Sequence, residues 1–188
     1  MDRGIKYIAL DLPTAKLFVF VDRSFANKKD FSSQIRYKII LANEITHNKE
    51  FELFRNLIHW SSTKSKRVTR SVLASEIYDI IRDVDIAIAI STTITMIADQ
   101  LRLPRILTIV CTDSYSLYKC LVKLGTITEK RLIINIITLR QSYKRRELME
   151  IRWINGQDNP ADAITKPNLN KALEKFITIN CLQMRVEG

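Results

Sequence analysis

Glycine and proline are scarce, at 4 each in 188 residues. A collagen-like or loop-dominated chain needs far more of both, so this sequence is built for regular elements. Cysteine is limited to Cys111, Cys120 and Cys181. An odd count with no Cys-x-x-Cys and no Cys/His metal spacing argues against a disulfide scaffold or a zinc finger. Cys111 in an apolar run and Cys120 on an apolar helix face read as buried hydrophobes, which fits a reducing compartment. No stretch reaches the roughly 18 uncharged apolar residues of a membrane-spanning helix. The nearest, 86–98, is short and rich in threonine, so no membrane partner is expected. Charges precede any apolar run at the N-terminus, so no signal peptide is expected. His47 and His59 stand apart from every acidic motif, which leaves neither as a general base.

Hydrophobic residues make up 46% of the chain and charged residues 27%, enough for one globular domain with a core. The net charge of +10 points to a polyanionic partner, a nucleic acid or an acidic membrane surface.

Residues 1–16 read as a linker or connection. The unbroken run 16–22 predicts a strand buried on both faces. Residues 34–41 alternate, with Ile35, Tyr37, Ile39 and Leu41 on one side and Gln34, Arg36 and Lys38 on the other. A third strand covers about 54–60, completing an antiparallel meander. A basic Ser/Thr loop, 61–69, leads to a long helix over 70–103, whose β-branched stretch 86–94 also has the composition of a strand. A fourth strand, 106–112, precedes a short helix stopped by Gly125. Thr128 caps a further helix running to about Tyr143, and its basic end, Lys144-Arg145-Arg146, suits a helix C-terminus. A fifth strand covers 147–154. Asn159 as cap and Pro160 in the first turn open another helix, and a last one covers 169–177. The order β-β-β-α-β-α-α-β-α implies a five-stranded mixed α/β sheet flanked by helices.

Four acids mark the junctions of this pattern. Asp22 ends the first apolar strand, Glu76 lies on the long helix, Asp113 ends the fourth strand, and Asp162 opens a helix after Pro160. Packing does not call for a carboxylate at the end of an apolar strand. Gathered together, such groups repel one another and attract a divalent cation, the chemistry of a two-metal phosphodiesterase. Taken singly, each has a plainer reading: Asp113 as a helix cap, Asp162 as a favourable charge in a first turn, Glu76 as a solvated helix residue. Asp79, Asp83, Asp85 and Asp158 read as solvated, with Asp158 close to the proposed site. The cluster Lys64, Lys66, Arg67 and Arg70 has two readings, a solvated loop or a contact to a nucleic-acid backbone.

The local wording goes further. Trp60-Ser61-Ser62-Thr63-Lys64 followed by Val68 to Tyr78, which holds Glu76, resembles the W-S-x-K…V-x-x-S-x-x-E-A-E-Y block of the ribonuclease H domain of copia-type LTR retrotransposons. Thr112-Asp113-Ser114 is similar to that family's D-[NS], and Asn159-Pro160-Ala161-Asp162-Ala163-Ile164-Thr165-Lys166 to its closing N-x-A-D-x-x-T-K. The resemblance spans about 17–167, which would be the ribonuclease H-like domain, with 168–188 a C-terminal helix and tail. It implies that Asp22, Glu76, Asp113 and Asp162 are both the catalytic residues and the ligands of two Mg²⁺ ions, with Mn²⁺ as substitute. One ion would activate water and the other stabilise the leaving 3′ oxygen, cutting the RNA strand of an RNA/DNA hybrid. Ser114 would cap its helix or touch the nucleic-acid backbone. An upstream reverse transcriptase in the same polyprotein is the implied partner, and a virus-like particle in the cytoplasm, or the nucleus, the implied location.

Two departures from that pattern stand out. The loop Asn155-Gly156-Gln157-Asp158 has no His where related enzymes carry one. No Tyr-x-Asp-Asp polymerase motif is present, so the chain is expected to be a cut-out domain or a free-standing relic. A silent, domesticated binding relic and an integrase-like nuclease remain alternatives. Integrases usually close their acid set with Glu rather than an Asp162-like residue.

Overall fold

The computed structural model describes residues 5–24, 34–64, 72–123, 132–162 and 179–187, without the side chains of 23, 24, 34, 72–76 and 79. In chain order the elements are β1 (Lys16–Ser24), β2 (Gln34–His47), β3 (Glu50–Lys64), α1 (Val72–Gln100), β4 (Leu107–Thr112), α2 (Tyr115–Leu121), α3 (Ile133–Lys144), β5 (Glu150–Trp153) and β6 (Cys181–Arg185). They form one mixed sheet in the order β5-β4-β1-β2-β3-β6. The pairs β1–β2, β2–β3 and β3–β6 are antiparallel. β1–β4 and β4–β5 are parallel, each reached through a helical crossover.

The meander and the later parallel strands match the sequence pattern, but the sheet has six strands rather than five. The added strand, β6, lies in the stretch expected to be helix and tail. Leu182 and Met184 point inward while Gln183 and Arg185 point out. Five residues of that pattern make a strand only because β3 offers an open edge to pair with. β2 and β3 also run longer than their apolar cores suggest, turning at Asn48, whose φ of 50° is one that asparagine tolerates. A register shift opposite Ile39/Ile40 leaves Ile58 unpaired and exposed, and so keeps Leu57 in the core.

The β-branched run of α1 is helical throughout. Ile77, Ile80, Val84 and Ala87 recur at helical spacing against the sheet, and this burial outweighs intrinsic propensity. Thr92 and Thr93 return their hydroxyls to the carbonyls of Ile88 and Ala89. Helix α3 starts at Ile133 with Leu132 at its N-cap, while Thr128 and Gly125 lie outside the described residues. The helix expected over 169–177 lies outside them too, and after Pro160 the described chain forms a turn.

Each face of the sheet carries its own core. One packs Leu17, Val19, Val21 and Ile39 beneath the three helices. The other gathers Phe18, Phe20, Phe51, Ile109 and Cys111 with Ile154, Ala161, Leu182 and Met184. β1 is thus buried on both faces, as its unbroken apolar run predicts. Cys111 and Cys120 are buried thiols. Residues 5–15 lie along the meander. Asn56 exchanges two hydrogen bonds with the Ile8 backbone, and Asn43 does the same with Asp11. No described helix is long and apolar enough to cross a membrane.

If β6 closes the second core, Leu182→Ala lowers stability by about 2–5 kcal/mol in urea unfolding, while Gln183→Ala stays within about 0.5 kcal/mol of wild type.

Candidate active site

The parallel register pairs Val21 with Thr112, so Asp22 and Asp113 occupy the next position at the same end of adjacent strands. Neighbouring strands stand about 4.8 Å apart, which brings these two acids side by side. By alternation Asp22 shares the face of Phe18 and Phe20, the second core.

The loop after β5 carries Asp162 to the same place. Asn159, fully buried, donates from Nδ2 to the Val21 carbonyl at 2.9 Å and accepts the Ala161 N–H on Oδ1 at 3.1 Å. One side chain thereby pins the Asn-Pro-Ala-Asp turn to the end of β1 and shapes the turn itself. Ala161 seals the core, and the Asp162 N–H donates to the Asn159 carbonyl at 3.2 Å.

Asp22 and Asp162 meet on one guanidinium. Arg36 is the register partner of Asp22 on β2. Its Nη1 donates to Asp22 Oδ2 at 2.9 Å, to Asp162 Oδ1 at 3.4 Å and to the Asp162 carbonyl at 3.4 Å. Arg36 is only 5% exposed, and its Nε is buried without an acceptor. Sequence alternation assigned Arg36 and Lys38 to the face opposite Tyr37, and both are buried there. An alternating pattern alone does not say that the polar side of a strand will be covered.

Asp113 sits under the loop that lacks histidine. A Cβ on Gly156 would stand 3.3 Å from Asp113 Oδ2, so glycine there lets the loop lie against the carboxylate. Trp153 Nε1 donates to the Asp113 carbonyl at 3.3 Å, and the Trp153 ring packs against Tyr115 at 4.7 Å between centroids. Ser114 caps α2 by accepting the Leu117 N–H at 3.3 Å, the plainer of its two readings.

Glu76 belongs to α1 by its backbone, and its side chain lies outside the described set. Ser91 and Thr108 share a hydrogen bond at 3.0 Å, and Arg82 donates to Thr63 at 3.1 Å. α1 therefore runs back along the helix face, with its first turns at the end where β1 and β4 finish. Lys64 closes β3 at that end, opposite Gln34, and is exposed. Lys66, Arg67 and Arg70 lie outside the described residues.

The other acids separate from the cluster. Asp158 is held by Arg185, which donates from Nε at 2.8 Å and from Nη2 at 2.9 Å. Asp83 does not fit the solvated reading. It is buried in the helix–sheet interface beside Tyr37, with Arg82 at 3.4 Å. Burial, and then the Asp83 charge, push the Tyr37 hydroxyl up. His59 shares a 3.0 Å hydrogen bond with Tyr37, which lies on the helix-covered face of the sheet, opposite the face that Asp22 shares.

Asp22, Asp113 and Asp162 offer the hard oxygen donors that suit Mg²⁺ or Mn²⁺. They fit such an ion in kind, and the strand ends bring them to one end of the sheet. Among the described residues, however, no three acidic, His or Cys side chains close on one point. Two of the three carboxylates are drawn to Arg36 instead.

The second face near this site is rich in buried cations, among them Arg36, Lys38 and Arg55. Burial, and next the charge of Arg55, lower Lys38 to about 8. Burial also lowers Arg55, to about 9. Of the pair, the ammonium is the group that gives up its proton, because a delocalised guanidinium holds its own far more tightly. On the same face Glu44 binds Lys16 at 2.7 Å and Arg152. Burial works to raise Glu44, but those hydrogen bonds hold it below the usual carboxylate range.

No family model matches the chain, and no curated protein matches it. Among solved structures it is similar to LC11-RNase H1 in complex with an RNA/DNA hybrid, at 17% identity and a TM-score of 0.52, covering 84% of this chain and 99% of that one. A second structure of LC11-RNase H1, isolated from compost by a metagenomic approach, matches at 19% identity and a TM-score of 0.51, over 84% and 98%. The chain therefore has the ribonuclease H-like fold.

Lys38 carries a pH signature. Between about 8 and its ordinary 10.5 the unfolded chain holds a proton that the folded chain has released, so this residue adds stability as pH rises. The stability of Lys38→Met relative to wild type accordingly falls across that window, by roughly 2 kcal/mol. Urea unfolding of both chains at pH 7.5 and 10.5 checks this, and a constant difference would show that the burial cost is not borne by this ammonium.

Proposed function

We propose that this chain is a ribonuclease H of copia-type retrotransposon origin, a divalent-metal-dependent endonuclease acting on the RNA strand of RNA/DNA hybrids. The observation that carries the reading is the meeting of Asp22 and Asp162 on one guanidinium nitrogen, beside the β4 end that bears Asp113, on a ribonuclease H-like fold. The closing Asn-Pro-Ala-Asp motif adds support, because Asn159 explains physically why that turn must end beside Asp22.

In this reading Asp22, Glu76, Asp113 and Asp162 hold the divalent ions, which when bound supply an activated water and charge neutralisation at the phosphate. The protein's own part is positioning. Asn159 holds Asp162 against β1, Trp153 and Gly156 shape the surroundings of Asp113, and the net charge of +10 draws in the nucleic acid. Lys64, with Lys66, Arg67 and Arg70, would follow the hybrid backbone through phosphate contacts that read no sequence. The missing loop histidine bears on rate rather than on the identity of the reaction. A reverse transcriptase of the same polyprotein is the proposed partner and the interior of a virus-like particle, or the nucleus, the proposed location.

One observation favours a second reading. The Arg36 guanidinium takes up two of the site's carboxylates, as would suit a relic that binds hybrid without cutting it.

Incubation of the chain with Mg²⁺ and a labelled RNA/DNA hybrid, beside single-stranded RNA and duplex DNA, separates the two. Cleavage is expected in the RNA strand of the hybrid alone and falls at least about a hundredfold in Asp113→Asn. Tight hybrid binding by a folded chain with no cleavage would establish the relic. Cleavage or strand transfer on duplex DNA would defeat both readings.

A further inference from the structure

Arg36 is an unusual occupant of a carboxylate site. It lies on a central strand with its guanidinium facing the apolar second core, where water does not solvate it. An arginine built for structure alone would present its fork, two nitrogens to two oxygens of one carboxylate. Here a single nitrogen, Nη1, serves Asp22 Oδ2, Asp162 Oδ1 and the Asp162 carbonyl, while Nε is left buried without an acceptor. The arrangement satisfies the carboxylates at the arginine's expense. Nη1 stands between two acids from different elements, both of which would hold a divalent ion in the proposed reading.

We propose that Arg36 is a built-in counter-cation, a positioning residue that occupies the Asp22/Asp162 half of the site in place of a divalent ion and must withdraw before that half is filled. Without it the two carboxylates would repel each other across a poorly solvated gap. With it half of that negative charge is offset, at the cost that an incoming ion meets a fixed positive charge within a few ångströms, where screening by water is weak. The chain is therefore paired at this site without metal, and its affinity for an ion held by Asp22 and Asp162 would be set by competition with its own side chain. This inference rests on the reading of the acids as a metal site.

Mn²⁺ binding to the 188-residue chain, followed by the electron paramagnetic resonance of free Mn²⁺, tests it. Arg36→Gln is expected to bind Mn²⁺ at least about tenfold more tightly than wild type, and to gain more in melting temperature when Mn²⁺ is added. Arg36→Lys, which keeps the charge, stays close to wild type. A folded Arg36→Gln that binds no more tightly, or not at all, overturns the proposal, since a merely structural arginine would change the melting temperature without changing metal affinity. Should Arg36→Gln not fold, the wild type decides: the NMR signal of the Arg36 Nε–H moves as diamagnetic Mg²⁺ is titrated if the guanidinium withdraws, and a signal unmoved at saturation refutes it. Hybrid cleavage by wild type with Arg36 unmoved would sink this inference and leave the nuclease reading standing. Tighter Mn²⁺ binding in Arg36→Gln with no cleavage by either chain would do the reverse.

Discussion

The parallel pairing of β1 with β4 is the constraint on which the rest depends. It sets two strands distant in sequence side by side with their carboxyl ends together, so that Asp22 and Asp113 become neighbours. Parallel neighbours cannot be joined by a tight turn, so the chain must cross over a face of the sheet, and α1 makes that crossing. The helix then returns with its first turns, and Glu76 among them, at the end where the two acids stand. One hydrogen bond, from Asn159 to the Val21 carbonyl, adds the last acid to the same strand end.

A second theme is buried charge on an apolar face. Phe18, Phe20 and Phe51 form the centre of the second core, yet Arg36, Lys38, Arg55, Glu44 and Arg152 open onto the same side of the sheet. Each is tolerable only with compensation. Arg152 lies over the Phe18 and Phe51 rings and binds Glu44, which also holds Lys16. Lys38 responds by a weakened hold on its proton. Arg36 is compensated by two carboxylates of the proposed site, so the stability of this face and the state of the site are one problem.

Much of this is legible in the sequence. The unbroken run of β1 announced a strand buried on both faces, and the run before Asp113 another like it. The helix period of Leu73, Ile77, Ile80, Ile81, Val84 and Ile88 outweighed a strand-like composition, and the helix runs through it. β6 was not legible, because five alternating residues have no preference of their own until an edge exists to receive them. Asp83 misled for a related reason: an acid on a helix looks solvated until the Tyr37 side of the sheet covers it. Asn159 was readable as a cap, but its bond to Val21, 138 residues earlier, was not.

The sequence by itself determined the order of elements from β1 to β5 and the ends of the strands that carry Asp22 and Asp113, because periodicity, caps and turn residues act over a few positions along the chain. The tertiary structure alone decided that Arg36 and Lys38 are buried, that Asp22 and Asp162 share a guanidinium, and that Gly156 lies against Asp113. Those facts depend on which surfaces meet. Alternation tells which side chains share a face of a strand, and only the packing of the other elements tells whether that face meets water or another charge.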